Sequence, residues 1–174
     1  MSLDVDQLEL CLLDKKVHDR GGFSCGEPSL DDYLQKQAAQ DATRNAAVVY
    51  VLVDPRQPST ILGYFTLSSA GVRLDSLPQD ARKGLAPYPE VPALLIGRLA
   101  VSTAHQGSGL GGELLGRALE ECGRVAQRAA SSFVIVDALN EQAARFYRRY
   151  GFGNLDSAGE RLYITMRTLR QAGS

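Results

Sequence analysis

One α/β domain, a mixed sheet flanked by helices on both faces, is the fold class this sequence predicts. Three observations predict it. Residues 46–53, 61–70, 93–102 and 132–138 are short apolar runs rich in β-branched side chains, as strands are. A glycine-rich turn and a long amphipathic stretch separate the last two of these, which implies a parallel pair joined by a right-handed helical crossover. The 174 residues are 44% hydrophobic, enough for a core and the size of one domain, residues 1–174.

The elements follow in order. Residues 8–13 predict a first short strand, and residues 23–28 a loop. Ser29, with Asp32 three positions on, reads as a capping box that opens a helix carrying Leu30, Tyr33, Leu34 and Ala38 at helical spacing. Residues 46–53 and 61–70 predict a hairpin around the turn Asp54-Pro55-Arg56-Gln57-Pro58. Residues 73–92, proline-containing and charged, predict a surface segment with one short helix over 79–83. Residues 93–102 form a central strand interrupted by one charge, Arg98. From Leu110 a helix follows whose Leu114, Leu115, Ala118, Leu119, Cys122, Val125 and Ala126 make one apolar stripe. Asn140 caps a helix over 140–149, Gly151 stops it, and residues 163–169 predict the last strand.

Composition narrows the function classes. A formal net charge of −1 argues against a protein that coats nucleic acid, which needs many cations against phosphates. The three cysteines, Cys11, Cys25 and Cys122, form no C-x-x-C pair, so neither a disulfide framework nor a metal site is expected. No stretch approaches the ~20 apolar residues of a membrane span, and the acidic start lacks a signal core. The expectation is a cytoplasmic protein, with residues 1–3 an expression remnant and His18 and His105 ordinary surface histidines.

The turn His105-Gln106-Gly107-Ser108-Gly109-Leu110-Gly111-Gly112 carries the chemistry. It follows a strand and opens a helix. The first N–H groups of a helix have no partner within it, and the helix dipole places partial positive charge there. Glycines remove the Cβ atoms that would keep a ligand away. The product is an anion site suited to a diphosphate. No lysine lies in the turn, so it is not a P-loop, and its G-x-G-x-G-G run is one residue too tight for a dinucleotide fingerprint. A tight structural turn without a ligand is the competing reading of the glycines alone.

Gln106-x-x-Gly109-x-Gly111 resembles the Q/R-x-x-G-x-G/A motif of the GNAT superfamily of acetyl-CoA-dependent N-acetyltransferases. The preceding Arg98-Leu99-Ala100-Val101 looks like the family's LAV strand. Asn140-x-x-Ala143-x-x-Phe146-Tyr147-x-x-x-Gly151-Phe152 is similar to a second family segment, N-x-x-A-x-x-F-Y-x-x-x-G-F. The resemblance implies a mainly antiparallel sheet with a splayed central parallel pair. It implies acetyl-CoA as cosubstrate, with Leu99, Ala100, Val101, the segment Gln106, Gly107, Ser108, Gly109, Leu110, Gly111, Gly112, and Asn140, Ala143 and Phe146 toward the cofactor. Backbone groups near Leu99 and Val101 would hold the pantetheine arm and polarise the thioester.

In the family the tyrosine of the second segment returns a proton to the departing CoA thiolate, so Tyr147 is the catalytic candidate. A phenol of pKa ~10 is a fair acid toward a thiolate of pKa ~8.5, and a positioned acid contributes ~10²–10⁴-fold. From periodicity alone Tyr147 reads as packing beside Phe146, and it is the resemblance that makes it the candidate acid. The acidic residue that some members place on the central strand is absent, since Gly97 and Arg98 stand there, and no general base is apparent. An α-amine of pKa near ~8 supplies its own neutral form.

The segment Phe23-x-Cys25-Gly26-Glu27-Pro28-Ser29-Leu30-Asp31-Asp32-Tyr33-Leu34, with Arg98-Leu99-Ala100-Val101, resembles the TacT-like acetyltransferase toxins. That resemblance implies an aminoacyl-tRNA acceptor and a ribbon-helix-helix antitoxin; the wider superfamily leaves a small amine or peptide N-terminus as acceptor and suggests a homodimer. A catalytically idle acyl-CoA-binding module is the remaining alternative. Basic candidates for an RNA surface are Arg44, Arg82, Lys83, Arg98, and Arg145, Arg148 and Arg149, which a solvated helix face explains as well. Arg98, a charge in an apolar strand, either contacts the acceptor or sits in a buried ion pair.

Overall fold

The structure, a computed structural model, describes residues 3–173; of the remnant expected at residues 1–3, Met1 and Ser2 lie outside the described residues. Seven strands are present among these residues: β1 (Glu9–Leu12), β2 (Val48–Val53), β3 (Gly63–Arg73), β4 (Glu90–Val101), β5 (Phe133–Asp137), β6 (Gly153–Asn154) and β7 (Arg161–Thr165). The helices are α1 (Pro28–Lys36), α2 (Ala38–Thr43), α3 (Gln79–Arg82), α4 (Leu110–Arg128), α5 (Glu141–Arg149) and α6 (Met166–Ala172). The strands follow the order β1-β2-β3-β4-β5-β7-β6. β4 and β5 are parallel, whereas β1 with β2, β2 with β3, β5 with β7 and β6 with β7 are antiparallel. The mainly antiparallel sheet with one central parallel pair is as expected. The parallel ladder runs from Ala93 opposite Phe133 to Ile96 opposite Val136, while β4 itself continues to Val101. Its last five residues lie beyond the paired register.

The chain divides into two compact units, one built from residues up to Ser68 with Arg98–Ala118, the other from Ser69–Gly97 with Leu119 onward. In the first, the period-2 alternation of β2 sends Val49, Val51 and Val53 into a core with Phe23, Tyr33, Leu34, Ala38, Ile61 and Tyr64. The buried Tyr64 hydroxyl donates to the Leu30 carbonyl at 2.7 Å, which removes the penalty of sealing an unpaired polar atom. The turn after β2 is closed by Asp54, which accepts from the Arg56 backbone N–H at 2.9 Å and from its guanidinium at 2.6 Å. Gly63 opens β3 where a Cβ would stand 3.0 Å from the Ala100 carbonyl oxygen, so the close approach of the two backbones requires glycine.

In the second unit Val72, Leu77, Ala81, Val91, Ala93, Phe133, Ile135 and Leu155 form the core. The 73–92 segment, expected at the surface, thus anchors itself through Leu77, Ala81 and Val91. Its short helix, α3, forms where expected.

Several local expectations are corrected. Helix α1 begins at Pro28, with Glu27 before it and no side-chain cap, so Ser29 is inside the helix. Proline at the first helical position supplies the right φ and has no N–H to leave orphaned, which makes the serine cap unnecessary. The last strand stops at Thr165, whose hydroxyl accepts from the Thr168 N–H at 3.1 Å and so caps α6; residues 166–169 are helix, not strand. α2 and β6 are too short to show a period in sequence. His18 is buried, 7% exposed: its Nδ1 accepts from the Asp14 N–H at 2.9 Å, and its Nε2 lies 3.6 Å from the Cys11 sulfur. No described helix is long and apolar enough to cross a membrane.

Candidate active site

Within the first unit, β4 delivers the chain through a 3-10 turn at Thr103–His105 into the glycine turn and then into α4. Leu110, Leu114, Leu115 and Ala118 are buried and fix the first turns of this helix against the core. Gly107 and Gly109 take φ of 81° and 85°, a region that favours glycine, and a Cβ on either would meet nothing within 4 Å. Internal packing therefore does not explain either glycine. Their conformation turns a run of amides outward, and none of the N–H groups from Gly107 to Gly112 donates to an acceptor among the described residues. The first amide to re-enter the ladder is that of Glu113, which donates to the Gly109 carbonyl at 3.2 Å. Consecutive unpaired amides at the start of a 19-residue helix are the donor set a diphosphate requires.

The Ser108 hydroxyl donates to the His105 carbonyl and braces the turn from within. Gln106 behaves differently from a ligand-facing side chain. Its amide nitrogen donates to the Cys25 carbonyl at 2.6 Å and to the Val101 carbonyl at 3.0 Å. On β4, Ala100 and Val101 are buried while Leu99 is half-buried.

Arg98 is half-buried, and the ion-pair reading does not hold: no carboxylate lies within 4 Å of it among the described residues. Its guanidinium carbon sits 3.5 Å from the centroid of the Tyr33 ring. The Tyr33 hydroxyl donates to Asp41 at 2.7 Å, and the Gln37 amide donates to the other Asp41 oxygen at 2.9 Å. Burial and the bond to Asp41 push the Tyr33 phenol up to about 12, with the Arg98 charge opposing them. The same bonds, from Gln37 first and Tyr33 second, hold Asp41 below the usual carboxylate range. Sequence reasoning missed this Arg98–Tyr33–Asp41 relay, although a charge inside an apolar strand was the signal that some partner had to exist.

In the second unit, Asn140 accepts from the Ala143 N–H at 2.9 Å and caps α5. Gly151, at φ 96°, ends the helix as expected. The amphipathic α5 buries Ala144 and Tyr147, while Ala143 and Phe146 are half-buried. The Tyr147 ring lies 5.3 Å from that of Phe146 and 5.5 Å from that of Phe152, centroid to centroid. Every sealed side-chain oxygen or nitrogen among the described residues has a partner, and the Tyr147 hydroxyl makes no hydrogen bond to any of them. The ring is therefore packed and its oxygen opens onto accessible space. Burial pushes the phenol well above its usual value, so it stays protonated at neutral pH. On the same helix Arg145 and Arg148 pair with Glu141 at 3.7 and 3.1 Å, and Arg149 is exposed.

Unpaired amides at a strand-to-helix junction are an arrangement that suits a diphosphate-bearing cosubstrate. A family model described as the acetyltransferase (GNAT) domain matches residues 60–153, and the chain belongs to that family. It is an acetyl-CoA-dependent N-acetyltransferase. The chain is 35% identical over 130 residues to a tRNA-acetylating toxin of Mycobacterium tuberculosis, covering 75% of each chain. Among solved structures it is similar to AtaT complexed with acetyl-methionyl-tRNAfMet, with a TM-score of 0.87, 25% identity and coverage of 96% and 99% of the two chains. It is similar also to AtaTR bound with AcCoA, with a TM-score of 0.85, 26% identity and coverage of 97% and 99%.

Proposed function

We propose that this acetyltransferase transfers the acetyl group to the α-amino group of an aminoacyl-tRNA, as a cytoplasmic toxin of the TacT-like group countered by a ribbon-helix-helix antitoxin. The observation that carries this reading is the likeness, over three-quarters of the chain, to a relative named for acetylating tRNA.

Each residue has a part in it. The amides of Gly107 through Gly112 hold the CoA diphosphate. Backbone groups at Leu99 and Val101 align the pantetheine arm and place a donor at the carbonyl oxygen, where a preorganised N–H is worth ~3–4 kcal/mol as negative charge develops. Asn140 shapes the start of α5, and Ala143 and Phe146 line it toward the cofactor. The acceptor amine, already neutral in part at neutral pH, attacks the thioester carbon, and the C–S bond breaks. Tyr147 donates its hydroxyl proton to the sulfur. Its raised pKa keeps that proton in place until a thiolate forms, and the proton balance closes when the nitrogen of the tetrahedral intermediate, cationic after attack, releases one proton to solvent as the amide forms while Tyr147 regains one. Arg98 contacts the acceptor: it is charged, half-buried and bound to a ring rather than a carboxylate, which leaves guanidinium donors for a phosphate or ester oxygen.

Purified protein, labelled acetyl-CoA and a mixed pool of charged tRNAs test the proposal. Label recovered on the amino acid of the tRNA, lost in Tyr147→Phe, is the expected result. Label on small amines or peptide N-termini with none on tRNA would establish the general acetyltransferase reading. CoA binding without transfer to any amine would leave an idle binding module.

A further inference from the structure

Gln106 is a motif residue whose side chain does something the cofactor does not explain. It is exposed as a residue, yet its amide nitrogen reaches two carbonyls, that of Cys25 in a distant part of the chain at 2.6 Å and that of Val101 at the end of β4 at 3.0 Å. An amide nitrogen has two hydrogens, so both are used. Val101 ends β4. Cys25 lies in the loop before α1, where its own N–H donates to the Asp31 carboxylate at 2.9 Å and the neighbouring Ser24 carbonyl accepts from the Thr103 N–H at 2.8 Å. Gly26, at φ 90°, turns this loop toward the Thr103 side chain, 3.7 Å from where its Cβ would be. A hydrogen-bonded path thus runs from the glycine turn through Gln106 and Cys25 to Asp31 on α1, the helix that carries Tyr33 and its Arg98 contact.

We infer that Gln106 is a positioning residue: its side chain holds the turn in the conformation that presents its amides, and ties that turn to the segment 24–31, so that filling the cradle steadies the start of α1. The inference rests on the reading of the cradle as the CoA site. The physical basis is preorganisation. The unpaired amides of residues 107–112 gain nothing from the apo fold, and glycines resist ordering, so an external tie must hold them in place. Gln106 supplies it from two sides, and the same bonds transmit any stiffening of the turn to Cys25.

The experiment is hydrogen–deuterium exchange on the full chain with and without CoA, together with calorimetric titration of CoA into wild type, Gln106→Leu, Gln106→Glu and Gln106→Arg. In wild type, CoA should slow exchange both over 107–112 and over 24–31. Gln106→Leu should bind CoA about tenfold more weakly, with protection confined to the turn. Gln106→Glu should bind more weakly still, because a carboxylate oxygen then faces two carbonyl oxygens. Gln106→Arg, which again supplies N–H donors, should recover most of the affinity and the remote protection. A residue that merely stabilised the fold would raise exchange everywhere and change nothing specific to CoA. Wild-type affinity in Gln106→Leu overturns the inference. So does wild-type protection of 107–112 without any at 24–31, which leaves the CoA site intact. Absence of CoA binding by wild type overturns the cradle itself and this inference with it. The wild-type exchange and the arginine variant decide the matter even where the leucine variant does not fold.

Discussion

The guanidinium of Arg98 lies over the ring of Tyr33, 3.5 Å from its centroid, and the Tyr33 hydroxyl in turn donates to Asp41 at 2.7 Å. The cation rests on the face of the ring and the carboxylate is bound at its hydroxyl, with no ion pair between Arg98 and Asp41 among the described residues. A guanidinium on an aromatic face gains about 0.5–2 kcal/mol and keeps its N–H donors, whereas a bidentate ion pair consumes them.

Arg98→Gln is therefore expected to raise KM for the acceptor about tenfold or more while the calorimetric affinity for CoA stays within about twofold. Loss of the stacking should lower stability by about 1 kcal/mol in urea titration. Arg98→Lys should restore little, because an ammonium cannot lie flat on the ring with donors to spare. An unchanged acceptor KM in Arg98→Gln would remove this residue from the acceptor site.

Tyr147→Phe should lower kcat about 10²–10⁴-fold with CoA affinity intact. Its hydroxyl makes no hydrogen bond to the described residues, so removing it leaves the packing against Phe146 and Phe152 as it was. Stability should change by less than about 0.5 kcal/mol. A large loss of stability with near-normal kcat would mark Tyr147 as packing alone.

Gly109 and Gly116 form a matched pair, since a Cβ on either meets nothing within 4 Å. Gly109 has φ 85°, and a Cβ in that region costs about 1–2 kcal/mol. Gly116 lies inside α4 without that constraint. Gly109→Ala should lose stability and at least about tenfold in CoA affinity, because its methyl also enters the space before the cradle amides. Gly116→Ala should gain about 0.5–1 kcal/mol and bind CoA normally. Thermal melts with and without CoA distinguish the two.

Alkaline pH should weaken the fold ahead of any acid transition involving these groups. Burial pushes Cys25 up to about 11, Cys122 up to about 12, and Tyr64 and Tyr147 higher still. Each folded pKa exceeds its unfolded one, so the unfolded chain loses the proton first. The associated stability is complete below the unfolded values of ~8.5 for thiols and ~10 for phenols, and is lost as pH rises through the folded ones. The urea midpoint should thus fall steadily from about pH 9 to 12. Cys122→Ala, less stable throughout from its lost packing, should show a shallower decline; an equal slope would assign the alkaline loss to other groups.

Strand and helix placement was legible where the period was long and the punctuation strong. The alternation of Val49, Val51 and Val53, the stripe from Leu110 to Ala126, and the Asn140 and Gly151 boundaries of α5 are local facts of spacing, and each appears in the structure. Local reasoning failed where two signals competed at one position. Ser29 is a good cap, yet Pro28 starts α1 a residue earlier. Residues 163–169 carry Tyr163, Ile164, Met166 and Leu169, yet the Thr165 hydroxyl ends the strand and begins α6. Burial of His18 depends on the Asp14 N–H and the Cys11 sulfur, which no pattern of spacing brings together.

By itself the sequence determined the class of chemistry: helix-start amides freed by glycines bind anionic oxygen through backbone groups, and that arrangement is encoded within seven consecutive residues, 106–112. Only the tertiary structure decided what Gln106 and Arg98 do. Their partners Cys25 and Tyr33 are set by how strands and loops pack rather than by proximity in the chain, with Gln106 and Cys25 separated by 81 positions. A donor or a charge states only that it requires a partner; which partner it finds is a property of the packed fold.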